Sequence, residues 1–190
     1  MKKVPKEWLT YKYLDPKKVL PELHKIRVNL SISDTPHKIR NLRTNKLKSA
    51  HEGWDTAFFC YLISQVIGTN VFFSRVEKSD YDSIFKWVDG DIEHFAPVQM
   101  KELVPKGTNP EANLGSIVSK LKKYVSSPEL IVGIKLNRRE TIDFSKIDFK
   151  SSPVGEIWCF GATMLDETTW GIWGDFLAEP RQYEFEVPFA

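Results

Sequence analysis

Apolar residues between Ser49 and Gly68 recur at intervals of three and four positions, which is the period of a helix with one buried face. Gly68 follows the last of them, and a glycine at this place commonly ends a helix. The spacing therefore predicts an amphipathic helix over residues 49–68. Its apolar members are Ala50, Trp54, Ala57, Phe58, Tyr61, Leu62 and Val66.

Three β-rich segments follow this helix, at residues 70–76, 80–88 and 96–103. The turn Asp89-Gly90-Asp91 separates the second segment from the third. An Asp-Gly turn between two such runs is typical of a β-hairpin. The second and third segments are therefore expected to be neighbouring strands.

A second apolar stripe with helical spacing follows a loop at residues 105–110. Continuous apolar runs at residues 130–134 and 157–160 are typical of strands that are covered on both faces. The tail from Trp170 to Phe189 is expected to add one or two edge strands. This order of helices and strands predicts a mixed α/β fold. The second stripe consists of Leu114, Ile117, Val118, Leu121 and Val125.

The first 51 residues are strongly basic, with 13 Lys and Arg against 4 Asp and Glu, a net charge of +9. The remaining residues hold 14 against 21, a net charge of −7. This polarity indicates an anionic partner for the basic part, with a solvated basic surface as the alternative. Four prolines within residues 1–36 allow only short helical pieces such as Lys17 to Ile26. We predict a basic N-terminal arm or helical extension at residues 1–48 and an α/β domain at residues 49–190.

Hydrophobic residues make up 42% of the chain, which is enough apolar material for a core. The longest apolar stretch, Ala57 to Gly68, is interrupted by Ser64 and Gln65 and is too short to span a bilayer. We therefore expect no membrane association. Cys60 and Cys159 lie among apolar residues, so we expect them to be buried free thiols of a cytoplasmic protein.

Asp82, Gln99 and Lys101 are the candidate chemical groups of the second and third strands. Asp82 is expected to face Gln99, and Lys101 shares the face of Gln99 because side chains alternate along a strand. Metal-dependent phosphodiester hydrolysis requires oxygen ligands that hold Mg²⁺ or Mn²⁺ and a cation beside the attacking water. The three residues therefore form a candidate metal and catalytic site.

The segments Tyr81-Asp82-Ser83-Ile84 and Gln99-Met100-Lys101, within a helix, three strands, helix, strand order, resemble the motif of the PD-(D/E)XK nuclease superfamily. Glu52, near the start of the first predicted helix, is similar to the helical acid that often completes the metal site of that family. The resemblance covers residues 49–136. It implies a restriction-endonuclease-like three-layer core, with a mixed central sheet flanked by helices in the order α-β-β-β-α-β.

This resemblance implies a Mg²⁺- or Mn²⁺-dependent endonuclease that acts on DNA. Asp82, Gln99 and Glu52 would hold the metal, and Lys101 would orient or activate the attacking water. A homodimer would be needed to cut both strands symmetrically. The side chains implied to contact DNA phosphates lie on the second helix, and they are Lys120, Lys122 and Lys123.

Gln99 departs from the family pattern, in which Asp or Glu stands before x-Lys, and no proline-aspartate pair precedes the strand. An amide oxygen ligates a hard cation without supplying charge, so we expect weaker metal binding. Nucleases with Gln at this place are known in the superfamily, so the substitution leaves catalytic activity open. Asp80 shares the face of Asp82 and is a candidate to replace or assist it.

Two other classes of function fit the same sequence. One is a catalytically inactive module that keeps the fold for binding nucleic acid or a protein partner, with Gln99 marking decay of the site. The other is an unrelated α/β protein that self-associates through a hydrophobic surface at Thr169–Gly174. Asp82 is also compatible with a turn cap, and Lys101 with an ion pair to Asp82 or Glu102. The three lysines of the second helix are also typical of a solvated helix face.

Overall fold

The structure of the protein is a computed structural model, and it describes residues 4–32, 48–76, 78, 80–125 and 127–187. These residues form two compact units. Unit 1 contains residues 4–32, 48–76 and 83–95, and unit 2 contains residues 78, 80–82, 96–125 and 127–187. The boundary expected at residue 48 borders residues 33–47, which lie outside the described ranges, so the division into an arm and a domain stays a prediction.

Unit 1 is built from helices and the first strands of the chain. Its elements are a 3₁₀-helix at Lys6–Thr10, α1 at Pro16–Ile32, α2 at Lys48–Ile67, β1 at Val71–Arg75 and β2 at Ser83–Asp89. Helix α1 packs against α2. Strand β1 pairs with β2 in antiparallel fashion, so that Phe73 lies opposite Phe85 and both rings are fully buried.

Helix α2 confirms the helix that the apolar period predicts at residues 49–68. It ends before Gly68, whose φ of +68° lies in the left-handed region that glycine adopts without strain. Residues 54–64 are all buried, so this part of the helix is covered on every side rather than on one face. A helix of this kind belongs to the interior of its unit.

Unit 2 contains the rest of the sheet and the second helix. Strand β3 spans Ile92–Leu103, and its residues from Ala96 onward belong to this unit. The further elements are α3 at Leu114–Ser119, 3₁₀-helices at Lys120–Lys123 and Phe144–Lys146, β4 at Ser127–Leu136, β5 at Val154–Ala162, β6 at Thr169–Gly174 and β7 at Arg181–Glu186.

The strands of unit 2 pair in the order β3-β4-β5-β6-β7. Strands β3, β4 and β5 are parallel, whereas β6 and β7 continue the sheet in antiparallel fashion. Gln99 lies opposite Val132 of β4, and Lys101 lies opposite Ile134. Mixed pairing of this kind, together with the helices, confirms the general α/β class.

The core of unit 2 lies where α3 and the following 3₁₀-helix pack against the sheet. Leu114, Val118 and Leu121 come from the helical segment, and Val132 and Ile134 come from β4. Residues 130–135 are all buried, as the continuous apolar run predicts for a strand covered on both faces. This packing brings the segment after α3 close to the face of β3 that carries Gln99.

Several boundaries differ from the expectations. Strand β2 begins at Ser83, so Asp80 and Asp82 precede it rather than lie within it. Strand β3 begins at Ile92, immediately after the Asp-Gly turn. Helix α1 runs to Ile32 although Pro21 lies inside it, in the second turn. The sequence predicted only short helical pieces here, so the length of this helix is a correction.

The C-terminal tail contains one edge strand, β7, and one interior strand, β6, which pairs on both sides. The expected hydrophobic surface at Thr169–Gly174 is wrong for Trp170, which is buried and lies 6.3 Å from the ring of Phe160 between centroids. Trp170 lies on an interior strand and is already buried within unit 2, so it does not contribute to an exposed hydrophobic surface.

No helix among the described residues combines the length and the apolar character that crossing a membrane requires. Cys60 and Cys159 are both buried free thiols, as expected. Burial raises the pKa of each thiol well above its ordinary value, because the thiolate would lose its hydration.

Candidate functional site

Asp82 and Gln99 contact each other directly, as the pairing of the second and third strands predicts. The backbone N–H of Asp82 donates to the carbonyl oxygen of Val98 at 2.9 Å. The Asp82 Oδ2 atom accepts a hydrogen bond from the backbone N–H of Met100 at 2.8 Å. The same oxygen accepts a second hydrogen bond, from Gln99 Nε2.

The other end of the Gln99 amide meets Tyr124. The Tyr124 hydroxyl donates to Gln99 Oε1 at 2.9 Å, and both side chains are buried in unit 2. Hydrogen bonds therefore connect the phenol, the amide and the carboxylate in one chain, from Tyr124 through Gln99 to Asp82.

The second carboxylate oxygen of Asp82 has different surroundings. Both hydrogen bonds to this side chain end on Oδ2, and no other described residue donates one to Oδ1. Asp82 as a whole is partly exposed. The site therefore holds the carboxylate by one oxygen, while the other accepts no hydrogen bond from the described residues.

The ammonium group of Lys101 interacts electrostatically with Asp82, but it donates no hydrogen bond to any described residue. Burial of the ammonium group lowers the pKa of Lys101, the Asp82 carboxylate opposes this shift, and the positive charge of Lys123 adds to it. Lys101 is therefore a partly buried cation that interacts electrostatically with both Asp82 and Lys123.

Tyr124 was not among the candidates from the sequence. Helix α3 ends at Ser119, and the chain continues as a 3₁₀-helix at Lys120–Lys123, with three residues per turn instead of 3.6. Three residues after the buried Leu121 lies Tyr124, which is 5% exposed, whereas Val125 is 86% exposed. The predicted stripe is wrong at Val125 because it continued the α-helical period. A hydroxyl-bearing aromatic beside the last apolar position was the only signal in the sequence.

The surroundings of the Tyr124 hydroxyl are acidic. Burial raises the pKa of Tyr124, and the negative charges of Asp82 and Asp80 raise it further. Both carboxylates therefore lie within electrostatic reach of the phenol. Asp80 is exposed, and its role in replacing or assisting Asp82 stays a prediction.

The three lysines expected to contact DNA lie on the 3₁₀-helix directly before Tyr124. Lys120, Lys122 and Lys123 are all exposed. Lys123 Nζ lies 4.9 Å from the centroid of the Tyr124 ring. Tyr124 therefore contacts both this basic segment, through Lys123, and the Gln99 amide that donates to Asp82.

Glu52 belongs to unit 1, whereas the other candidate residues belong to unit 2. It lies on α2 and is half-exposed, and its Oε2 accepts a hydrogen bond from Arg75 Nη2 at 3.3 Å. Its role as a metal ligand stays a prediction. Within the part of the chain that the structure describes, no group of three or more His, Cys, Asp and Glu side chains is arranged to hold a metal ion.

Comparison of the chain with protein-family models, with curated proteins and with solved structures found no match. The site in unit 2 is thus characterised by its own geometry alone. It consists of one carboxylate with a free oxygen, an amide that contacts it, a partly buried lysine and an adjoining basic segment.

Proposed function

We propose that the protein is a metal-dependent endonuclease-like protein that hydrolyses DNA phosphodiester bonds at Asp82, Gln99 and Lys101. The observation that carries this proposal is the juxtaposition of these three side chains in unit 2. The Gln99 amide donates a hydrogen bond to Asp82, and the negative charge of that carboxylate acts on the pKa of the Lys101 ammonium group.

The order of elements supports a restriction-endonuclease-like core. Along the chain, α2 is followed by β1, β2 and β3, then by α3 and β4. Strand β1 is antiparallel to β2 in unit 1, and β4 is parallel to β3 in unit 2. This sequence of elements is similar to the α-β-β-β-α-β order implied by the resemblance to PD-(D/E)XK nucleases, in which an acid opens one strand and x-Lys lies on the next.

The residues present fit a hard divalent cation. Mg²⁺ is commonly held by one or two carboxylates together with water and substrate phosphate, rather than by a cage of protein ligands. Asp82 Oδ1 would be the first ligand, and the neighbouring Asp80 carboxylate would be the second. A bound Mg²⁺ or Mn²⁺ would neutralise charge on the scissile phosphate and lower the pKa of a water molecule.

The other side chains would act on the substrate and on the attacking water. Lys101 would orient the water and stabilise the charge that develops on the phosphate, because its ammonium is free of competing acceptors among the described residues. Lys120, Lys122 and Lys123 would contact the DNA backbone, where phosphate contacts supply affinity without sequence information.

A second function, a catalytically inactive module that binds nucleic acid or a protein partner, is favoured by one observation. Gln99 Oε1 accepts the Tyr124 hydroxyl, so the amide oxygen does not face the position of a metal ligand. A site with only the Asp82 and Asp80 carboxylates would bind a divalent cation weakly in the absence of nucleic acid.

Calorimetric titration of Mn²⁺ into the wild type and into Asp82→Ala tests the proposed function. We expect the wild type to bind Mn²⁺ and Asp82→Ala to bind it more than about 100-fold less tightly, since loss of even an outer-sphere partner costs 10–100-fold. Asp91→Ala removes an exposed acid from the hairpin turn and is the matched control, with affinity equal to the wild type.

Cleavage of single- and double-stranded DNA with Mg²⁺ or Mn²⁺ is measured on the same three proteins. Cleavage by the wild type and Asp91→Ala, and its loss in Asp82→Ala, is the result expected of a nuclease. DNA binding without cleavage under all conditions would favour the inactive module instead. Equal Mn²⁺ affinity of wild type and Asp82→Ala contradicts the placement of the metal.

A further inference from the structure

We propose that Tyr124 is a positioning residue that fixes the Gln99 amide, and that Gln99 orients the Asp82 carboxylate instead of binding the metal through its own oxygen. The inference rests on the proposed function and deepens it, because it assigns metal binding to the free Oδ1 of Asp82. Under this proposal Gln99, which stands where the family usually has an acid, acts as a hydrogen-bond donor that orients Asp82.

The orientation of the amide follows from the donors and acceptors around it. An ionised carboxylate only accepts hydrogen bonds, so the end of Gln99 that contacts Asp82 Oδ2 has to be the NH₂ group. The opposite end, Oε1, then faces the Tyr124 hydroxyl, which has to donate. Only one orientation of the amide satisfies both neighbours, because its NH₂ group then donates to Asp82 while its oxygen accepts from Tyr124.

Packing keeps the phenol in place. Tyr124 is 5% exposed and belongs to the core cluster of unit 2 with Leu121 and Val118. Its backbone N–H donates to the carbonyl oxygen of Leu121 at 3.0 Å, and Lys123 covers one face of its ring. A side chain fixed in this way holds the hydroxyl at a constant position relative to β3.

The fixed orientation of the Gln99 amide in turn orients the Asp82 carboxylate. Its Oδ2 accepts from Gln99 Nε2 and from the backbone N–H of Met100, and two donors on one oxygen define the rotation of the carboxylate. Oδ1 accepts no hydrogen bond from the described residues, and Asp82 is partly exposed. If the amide turned to offer Oε1 to a metal, its charge-assisted bond to Asp82 would be lost, and such bonds are about twice as strong as neutral ones.

The first experiment needs no metal and observes the side-chain NH₂ group of Gln99 by ¹H–¹⁵N NMR spectroscopy. The chain contains only three glutamines, Gln65, Gln99 and Gln182, so the signal of Gln99 is assigned by its absence in Gln99→Leu. In the wild type we expect one proton of this group to be shifted downfield and to exchange slowly. Gln182 is exposed and is the internal reference.

Tyr124→Phe removes only the hydroxyl, and we expect the Gln99 signal to move toward that of Gln182. Tyr183→Phe is the matched control, since the same atom is removed from β7 of the same unit, and it should leave the signal unchanged. Asp82→Asn is the second variant and should also abolish the downfield shift. A wild-type signal like that of Gln182, or no change in Tyr124→Phe, overturns the proposal.

The second experiment compares Mn²⁺ affinity in Tyr124→Phe, in Gln99→Leu and in the double variant. We expect Tyr124→Phe to lower the affinity about tenfold, as is typical of outer-sphere partners, and to have no further effect in the Gln99→Leu background. If Gln99 Oε1 were the ligand, loss of the competing hydroxyl would leave the affinity unchanged or raise it, and this result refutes the proposal. A wild type that binds no Mn²⁺ refutes the proposed function, whereas the spectra still decide the orientation of Gln99.

Discussion

Two cations of unit 2, Arg138 and Lys101, are both largely removed from solvent but differ in what they contact. The Arg138 side chain is 4% exposed, and its guanidinium donates to three backbone carbonyl oxygens. The distances are 3.0 Å to Val104, 2.7 Å to Ala112 and 2.7 Å to Asn109. Lys101 Nζ donates no hydrogen bond to any described residue, although its charge interacts with Asp82.

The comparison separates a cation used for structure from one that remains available for chemistry. Arg138 follows β4 and ties the loop after β3 to the loop after β4, so its hydrogen-bonding capacity is used within the fold. Lys101 keeps its donors, although burial of an unpartnered ammonium is unfavourable. A group that retains unused capacity at a cost in stability is a candidate for function, and one that donates mainly to the backbone of its own fold is not.

The largest effect is expected from Lys101→Met, which replaces the side chain by a slightly shorter, unbranched one without charge. DNA cleavage should fall by about 10²–10³-fold, the usual consequence of losing one group that stabilises developing charge. The melting temperature should stay the same or rise slightly, because a partly buried charge is removed. Initial rates of cleavage at saturating metal, together with thermal unfolding, measure both effects.

Lys146→Met is the control for this prediction, because Lys146 is exposed on the 3₁₀-helix at Phe144–Lys146 and is paired with Asp143. It should retain wild-type cleavage. If Lys101→Met keeps its activity while its stability falls substantially, Lys101 is structural and the contrast with Arg138 is lost.

The pairing of Asp82 with Gln99 could be predicted from the sequence because it depends on two local rules. A hairpin turn at Asp89-Gly90-Asp91 sets the register of the two strands, and alternation then places Gln99 and Lys101 on one face. Tyr124 could not be predicted in the same way. Its burial depends on a change from α- to 3₁₀-helix at Ser119, which shifts the period from 3.6 to 3.0 residues.

The hydrogen bonds of Arg138 also could not be predicted from the sequence, for a different physical reason. Its three partners are carbonyl oxygens of an irregular loop, and every residue type provides a carbonyl. No pattern of side chains therefore marks the contact. Glu52 shows a related limit, because its helix was predicted correctly, whereas its partner Arg75 lies on a strand whose position relative to the helix depends on tertiary packing.

The next effect in size concerns stability alone and is expected from Arg138→Met. The variant leaves three carbonyl oxygens without their charged donor, and we expect the free energy of unfolding to fall by about 3 kcal/mol. Arg139→Met is the matched control, since Arg139 is exposed and donates no hydrogen bond to the described residues; its effect should stay within about 0.5 kcal/mol. Chemical denaturation of the two variants measures the difference, and equal stabilities would show that the Arg138 contacts contribute nothing.

The smallest effect is expected from replacing Lys120, Lys122 and Lys123 together by Gln. These side chains are exposed and lie outside the core, so stability should hardly change. DNA affinity at moderate salt should fall about tenfold, and the slope of log affinity against log salt should decrease by about 2 to 3, since each phosphate contact contributes about 0.9. Fluorescence anisotropy at several salt concentrations measures the slope. A triple variant with Gln at Lys25, Lys106 and Lys146 loses the same net charge from other exposed positions. If this control reduces the slope equally, the net charge of the protein and not the segment before Tyr124 determines binding.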